Sequence, residues 1–325
     1  MQNKRLLFSL VSLFSFHILF SQNAKVTISG YVADKESGEK LIGATIYDFN
    51  QQTGAVSNEY GFYSLTLPPG EVDLSISYIG YQTISSKFSL TEDTTFSISL
   101  ASALELDEVE IKADRAERIE EKSQMSTVEI PIEQIKSLPK FMGETDVLKA
   151  LQLLPGVQSG NEGTTGLYVR GGGPDQNLIL LDGVPVYNAS HLFGFFSVFN
   201  ADAINKVTLI KGGFPARYGG RLSSVLDIRM KEGNMNDFGG EGSIGVVASK
   251  LTLEGPIKKD KSSFIISGRR TYIDLLARPI IKAQTNGESV GGYYFYDVNA
   301  KLNYKFSDKY RLYLSGYFGR DKFYF

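Results

Sequence analysis

Side chains that do chemistry are thinly spread along this chain. His17 and His191 are its only imidazoles and it has no cysteine, which removes thiolate catalysis, disulfides and cysteine-ligated zinc. His191 stands beside Phe193, Phe195 and Phe196 with no ligand-spaced partner, the setting of a loop or packing position and not of a metal centre. The glycines that follow Arg170 do not make a phosphate loop, because no Lys-Ser or Lys-Thr pair comes after them. Leu153 to Lys231 holds one histidine and no acidic pair at useful spacing, so no nucleophile meets a base. The residues predict no catalytic site, no metal and no cofactor.

The wider composition narrows the partners. With 34 basic and 36 acidic residues the formal net charge is -2, which gives no reason to expect nucleic acid. A length of 325 residues leaves room for two or three domains. At the start, Lys4 and Arg5 precede an uncharged apolar run from Leu6 to Phe20. That run is too short to span a bilayer as a helix, and residues 1–21 read as a secretory signal peptide.

Residues 24–102 break into strand-sized pieces, VTISGYVAD, ATIYDF, GFYSLTL, EVDLSISYI and TTFSISL, separated by turn-rich links. This is the pattern of a small β-sandwich. Residues 103–125 then turn polar, with eight acidic residues from Glu105 to Glu121, the composition of a solvated linker. Inside it lies a brief alternation, Leu106, Asp107, Glu108, Val109, Glu110 and Ile111. An extended peptide of this kind suits pairing with another protein's sheet edge. A last strand of the sandwich explains it equally well, and the local sequence leaves both readings open.

Residues 126–231 mix a short helix, expected from about Asp146 to Leu153 and stopped by Pro155-Gly156, with strands at LYVRG, NLILLDGVPVY, KVTLIKGG and SSVLDIRMK. Asp182-Gly183 between apolar runs predicts a two-residue hairpin turn. Helix and strands without βαβ alternation point to an α+β domain.

Residues 237–325 change again. Tyr294, Tyr296, Val298, Ala300, Leu302, Tyr304 and Phe306 fall on one face of a strand, and Asp297, Asn299, Lys301, Asn303 and Lys305 on the other. Apolar-out, polar-in strands with Tyr and Phe near their ends are the signature of a transmembrane β-barrel. Four strands are expected, near Ser243–Leu253, Ser263–Tyr272, Tyr293–Phe306 and Tyr310–Phe318. A barrel needs about eight or more, so the reading is a truncated N-terminal part. The predicted fold is mainly β: a transthyretin-like sandwich, an α+β plug, and the first antiparallel strands of an incomplete barrel.

Three sets of residues carry a family resemblance. G-x-V-x-D at Gly30, Val32 and Asp34, with GATIY, NEYGFYSLTLPPG and SYIGY, resembles the carboxypeptidase regulatory-like domain. LPGV at Leu154–Val157, YVRGG at Tyr168–Gly172, LDGVP at Leu181–Pro185, and ADAI through KGGFPARYGGRLSSV at Ala201–Val225 resemble the plug of TonB-dependent outer-membrane receptors. LDEVEI falls where the Bacteroidetes branch of that family carries its TonB box. The resemblance implies an outer-membrane transporter and not an enzyme. Its N-terminal domain would lie in the periplasm, and it would take up a scarce or bulky ligand such as an iron chelate, a cobalamin or a glycan. The implied partners are the TonB C-terminal domain, outer-membrane lipid, the imported ligand and a surface lipoprotein. It also implies that Arg170, Arg217 and Arg221 pair with carboxylates of the barrel wall, against the plainer reading of solvated surface arginines. The loops Asn161–Gly163 and Asn188–Phe196 are candidates to face the ligand. The competing expectation is a secreted or periplasmic module that binds TonB without transporting.

Overall fold

The computed structural model describes residues 25–103, 126–140, 143–161, 164–285, 291–307 and 310–324. The signal-peptide segment 1–21 and Leu106–Ile111 lie outside the described residues. The chain divides into two compact units, Met1–Lys35 with Lys40–Leu104, and Glu36–Glu39 with Glu105–Phe325.

The first unit is a sandwich. In one sheet Val26–Asp34 pairs antiparallel with Phe62–Leu67 and parallel with Thr94–Thr95 and Ile98–Leu100. The other has the order Thr53–Val56, Thr45–Asp48, Gly70–Ser77, Ile84–Leu90. Inward residues of both sheets, among them Ile28, Val32, Ile46, Leu65, Leu74 and Ile76, make one core. Gly30 is required by close approach, since a Cβ there would run into the Phe96 carbonyl. At that point the TTFSISL run divides into two strands, and the Ser97 hydroxyl takes over the Tyr31 N–H at 3.1 Å. Thr53–Val56 and Ile84–Leu90, absent from the sequence reading, are edge strands with half-solvated, polar-rich sequences.

The second unit begins with the plug segment. Its sheet runs Val184–Pro185, Asn177–Leu181, Ser224–Met230, Ile204–Ile210, Thr127–Pro131. Asn177–Leu181 and Ser224–Met230 are parallel, and the other pairs antiparallel. Helix Val147–Leu151 packs its Val147, Leu148 and Leu151 into the core with Val207, Leu209, Leu226 and Ile228. Asp146 caps this helix, accepting from the N–H groups of Leu148 at 2.9 Å and Lys149 at 3.1 Å. A second short helix, Ile132–Lys136, was not expected from the sequence. The Asp182-Gly183 turn forms as expected, with φ of 49° and 82° and Leu181 opposite Val184.

The unit ends in an antiparallel sheet of five strands, each hydrogen-bonded to the next in chain order: Gly239–Ile244, Ala248–Lys258, Ser262–Thr271, Gly292–Lys305 and Arg311–Tyr324. Two expectations need correction. The strand read at Ser243–Leu253 straddles a hairpin: Ser243 and Ile244 end the first strand, Ala248–Leu253 begin the second, and Gly245 N–H to the Ala248 carbonyl closes the turn between them. The link after the third strand holds a helix, Ile273–Gln284, with Pro279 inside it.

Candidate functional site, a polar seam between plug and sheet

Alternation along the terminal strands sends every second side chain toward the plug. On the fourth strand Asp297, Asn299, Lys301 and Asn303 are buried, while Val298, Leu302 and Tyr304 are exposed. The third strand buries Ser263, Ser267, Arg269 and Thr271 and exposes Ile266. The fifth continues the pattern, with Leu312, Leu314 and Phe318 exposed. Asp297 is 1% exposed and Leu314 63%, the reverse of a sheet folded for water. The polar face of this sheet is its packed face.

Charges cross the seam at several points. Lys301 Nζ lies 3.1 Å from Asp182 of the plug turn and donates to the Met230 carbonyl at 3.1 Å. Lys250 Nζ lies 3.3 Å from Glu144 and 3.5 Å from Asp202. Lys136, in the plug, also reaches Asp202 at 3.1 Å. Burial pushes the Asp202 carboxyl up, but Lys250 and Lys136 outweigh it and hold it below the usual carboxylate range. Neutral bonds fill the gaps: Asn200 Nδ2 donates to Ser267 Oγ at 2.7 Å, and Ser263 Oγ donates to the Glu232 carbonyl at 2.7 Å.

Arg269 is the hub. It donates to Asp297 on its own sheet at 2.8 and 2.5 Å, and to the Ser197 carbonyl of the plug at 2.7 Å. The Ser197 N–H donates in turn to Asp146 at 2.7 Å. One carboxylate therefore caps the plug helix and fixes the strand that faces Arg269. Burial of so many ions is tolerable only because each faces an opposite charge.

The arginines singled out in the sequence stand elsewhere. Arg170, with φ of 49°, donates to Ser126 Oγ at 2.8 Å. The Arg217 guanidinium lies 4.9 Å over the Tyr218 ring, and Arg221 donates to the Gly220 carbonyl at 2.8 Å. All three are exposed, and among the described residues none meets a carboxylate of the sheet. The seam residues that sequence reasoning passed over are Glu144, Asp182, Asp202, Lys250 and Arg269. Asp297, Asn299, Lys301 and Asn303 carried a signal, their place on the polar face of an alternating strand, and Asp182 was visible only as a turn residue.

Comparison with known families agrees with this layout. Residues 28–111 match the CarboxypepD_reg-like domain, and residues 119–224 match the TonB-dependent Receptor Plug Domain. The chain carries the plug domain of the TonB-dependent receptors. The regulatory-like match runs on through Leu106–Ile111, and the plug match begins inside the segment read as linker. Over 78 residues the receptor chain is 36% identical to a TonB-dependent receptor of Formosa agariphila, covering 24% of this chain and 7% of that protein. Among solved structures, the siderophore receptor PirA from Pseudomonas aeruginosa shares 19% identity at a TM-score of 0.44, covering 62% of this chain and 34% of that one. PirA from Acinetobacter baumannii gives 21% and 0.44, covering 62% and 32%. The receptor chain thus spans about a third of the length of these solved structures and much less of the curated relative.

Proposed function

We propose that the chain serves TonB-energised uptake across an outer membrane, with the sandwich in the periplasm and the plug seated against the wall of a pore. The observation that carries this reading is the inverted terminal sheet, whose apolar face is open and whose polar face is packed. Such a sheet suits hydrocarbon outside and a hydrated plug inside. A tilted membrane-crossing strand needs about 9–11 residues, and the third, fourth and fifth strands have 10, 14 and 14.

Leu106–Ile111 is the proposed handle, taken up as an extra strand by the TonB C-terminal domain. Force on it would reach the plug first at the edge strand Thr127–Pro131. The seam that resists is built of ion pairs and hydrogen bonds to a hydrated lumen, and such bonds exchange readily with water once strained. The imported ligand is of the scarce or bulky class, an iron chelate, a cobalamin or a glycan, and a surface lipoprotein is the proposed partner on the outer face.

The test uses the full chain expressed with its leader. It should stay in the membrane fraction after an alkaline wash and be captured by an immobilised TonB C-terminal domain. Val109→Pro removes a ladder donor and stiffens the segment, so capture should fall at least tenfold while membrane retention is unchanged. Recovery in the soluble periplasmic fraction would favour the non-transporting module instead, and undiminished capture would remove the handle from Leu106–Ile111.

A further inference from the structure

The packed face of the terminal sheet carries charges of both signs, but its open face does not. On the third, fourth and fifth strands the charged side chains of the open face are Arg270, Arg320 and Lys322, all exposed and all cationic. They are gathered at one end. Arg270 stands opposite Tyr296, Tyr296 opposite Arg320, and Tyr294 opposite Lys322, two neighbouring rows of the open face. The Arg270 guanidinium lies over the Tyr294 ring, 4.8 Å from its centroid, and so leans toward the row that holds Lys322. At the other end the same face finishes in Tyr304 opposite Leu312, without a charge.

These cations lack the counter-charges that the packed face supplies to its own. Asp297 and Asp321, their neighbours along the strands, turn to the packed face and are bonded there to Arg269 and His191. Among the described residues no carboxylate pairs with Arg270, Arg320 or Lys322. Arg270 and Arg320 are two strand spacings apart, about 10 Å, and like charges so placed repel. The helix that leaves the third strand at this end repeats the pattern. Leu275, Leu276 and Ile280 of Ile273–Gln284 are exposed together with Arg278 and Lys282, while its one acid, Asp274, is buried and accepts from the Tyr324 hydroxyl at 3.3 Å. Exposed apolar and cationic side chains without an exposed acid are the composition of a helix lying in a membrane interface.

We infer that Arg270, Arg320 and Lys322 form a binding site for the phosphate of an anionic lipid headgroup, with Tyr294 and Tyr296 as its floor, a reading that rests on the open face being the one that meets lipid. A guanidinium presents a fork of donors that matches two phosphate oxygens. The long stems of Arg and Lys lie along apolar surface and hold their charge at its boundary. Directly below the Tyr296 row, Val298 and Phe318 stand opposite each other, both exposed. An acyl chain attached to the bound headgroup therefore continues onto apolar surface. A free anion would gain nothing from that continuation.

Lipid retention by the full chain in neutral maltoside micelles tests the site. Phosphatidylglycerol added to the micelles should be retained in native mass spectra, and phosphatidylcholine, whose headgroup carries its own cation, at least tenfold less. The triple variant Arg270→Gln, Arg320→Gln, Lys322→Gln leaves the packed face untouched and should bind phosphatidylglycerol at least tenfold more weakly, since each cation near a headgroup layer contributes separately. Lys258→Gln, Lys259→Gln, Lys261→Gln removes the same charge around the turn at the far end of the sheet and should leave retention unchanged. Equal losses in the two triple variants would reduce the effect to net charge and overturn the site, as would equal retention of the two lipids. Displacement of phosphatidylglycerol by inorganic phosphate at the same concentration would overturn the headgroup in favour of the free ion. Alkali-resistant insertion of the wild type into phosphatidylcholine vesicles reports separately on the sheet. Insertion without lipid preference overturns the site alone, whereas failure to insert overturns the lipid-facing reading beneath it.

Discussion

Asp182 does two jobs with one side chain. Its backbone takes the positive φ of the hairpin turn, and its carboxylate meets Lys301 across the seam at 3.1 Å. Asp182 and Lys301 have side chains only 8% and 9% exposed, so removing one partner strands the other's charge. Lys301→Met should cost about 3–5 kcal/mol. Asp182→Asn keeps a residue that tolerates the turn, and the double variant should recover most of that loss. Urea unfolding of the four proteins of the cycle in micelles measures the coupling, and additive losses would mean that the pair contributes nothing as a pair. The sequence displayed the turn at Asp182 and the polar face at Lys301, but not their meeting. The chain positions that separate them encode no distance. Arg170, Arg217 and Arg221 illustrate the converse: their motif was visible, while their neighbours depend on folding.

For the strands, period-two alternation was the strongest signal and it held best where the run was longest. YYFYDVNAKLNYKF presented its two faces before any coordinates, because each position was committed to lipid-like or polar surroundings. SIGVVASKLTL misled because no Asn, Asp or Pro marks its turn and only Gly245 interrupts the apolar run. Helix Ile273–Gln284 was hidden by Pro279, which ordinarily ends a helix. The same alternation makes a test of the sheet's surroundings. Leu302 is 42% exposed, so in water Leu302→Lys would be close to neutral. Facing hydrocarbon it should destabilise by about 2–4 kcal/mol near the bilayer midplane. Urea titrations of the chain in lipid vesicles decide between these, and a change under about 0.5 kcal/mol would place Leu302 outside the hydrocarbon.

Taken whole, the chain keeps its apolar cores local. Every fully packed residue of the main plug core lies between Ile130 and Met230, and from the terminal sheet only Tyr317 leans on it. Plug and sheet also share one small apolar cluster, Phe196 against Val247, Ala248 and Phe295, but most of what joins them is polar, and separating them returns Glu144, Asp182 and Asp202 to water. Residues 126–231 should therefore fold alone and remain soluble, giving a cooperative thermal transition by circular dichroism. A spectrum of disordered chain would show that the plug needs the sheet to fold.

The terminal sheet also has two margins. Among the described residues Gly239–Ile244 and Arg311–Tyr324 each pair on one side, and their other rims of amide and carbonyl groups lie beside a greasy surface. In plain buffer such rims are adhesive, and neighbouring molecules will zip together edge to edge. Purified material is thus expected to sediment as ragged clusters until a surfactant coats the apolar face, which makes the choice of amphiphile part of the biochemistry of this chain.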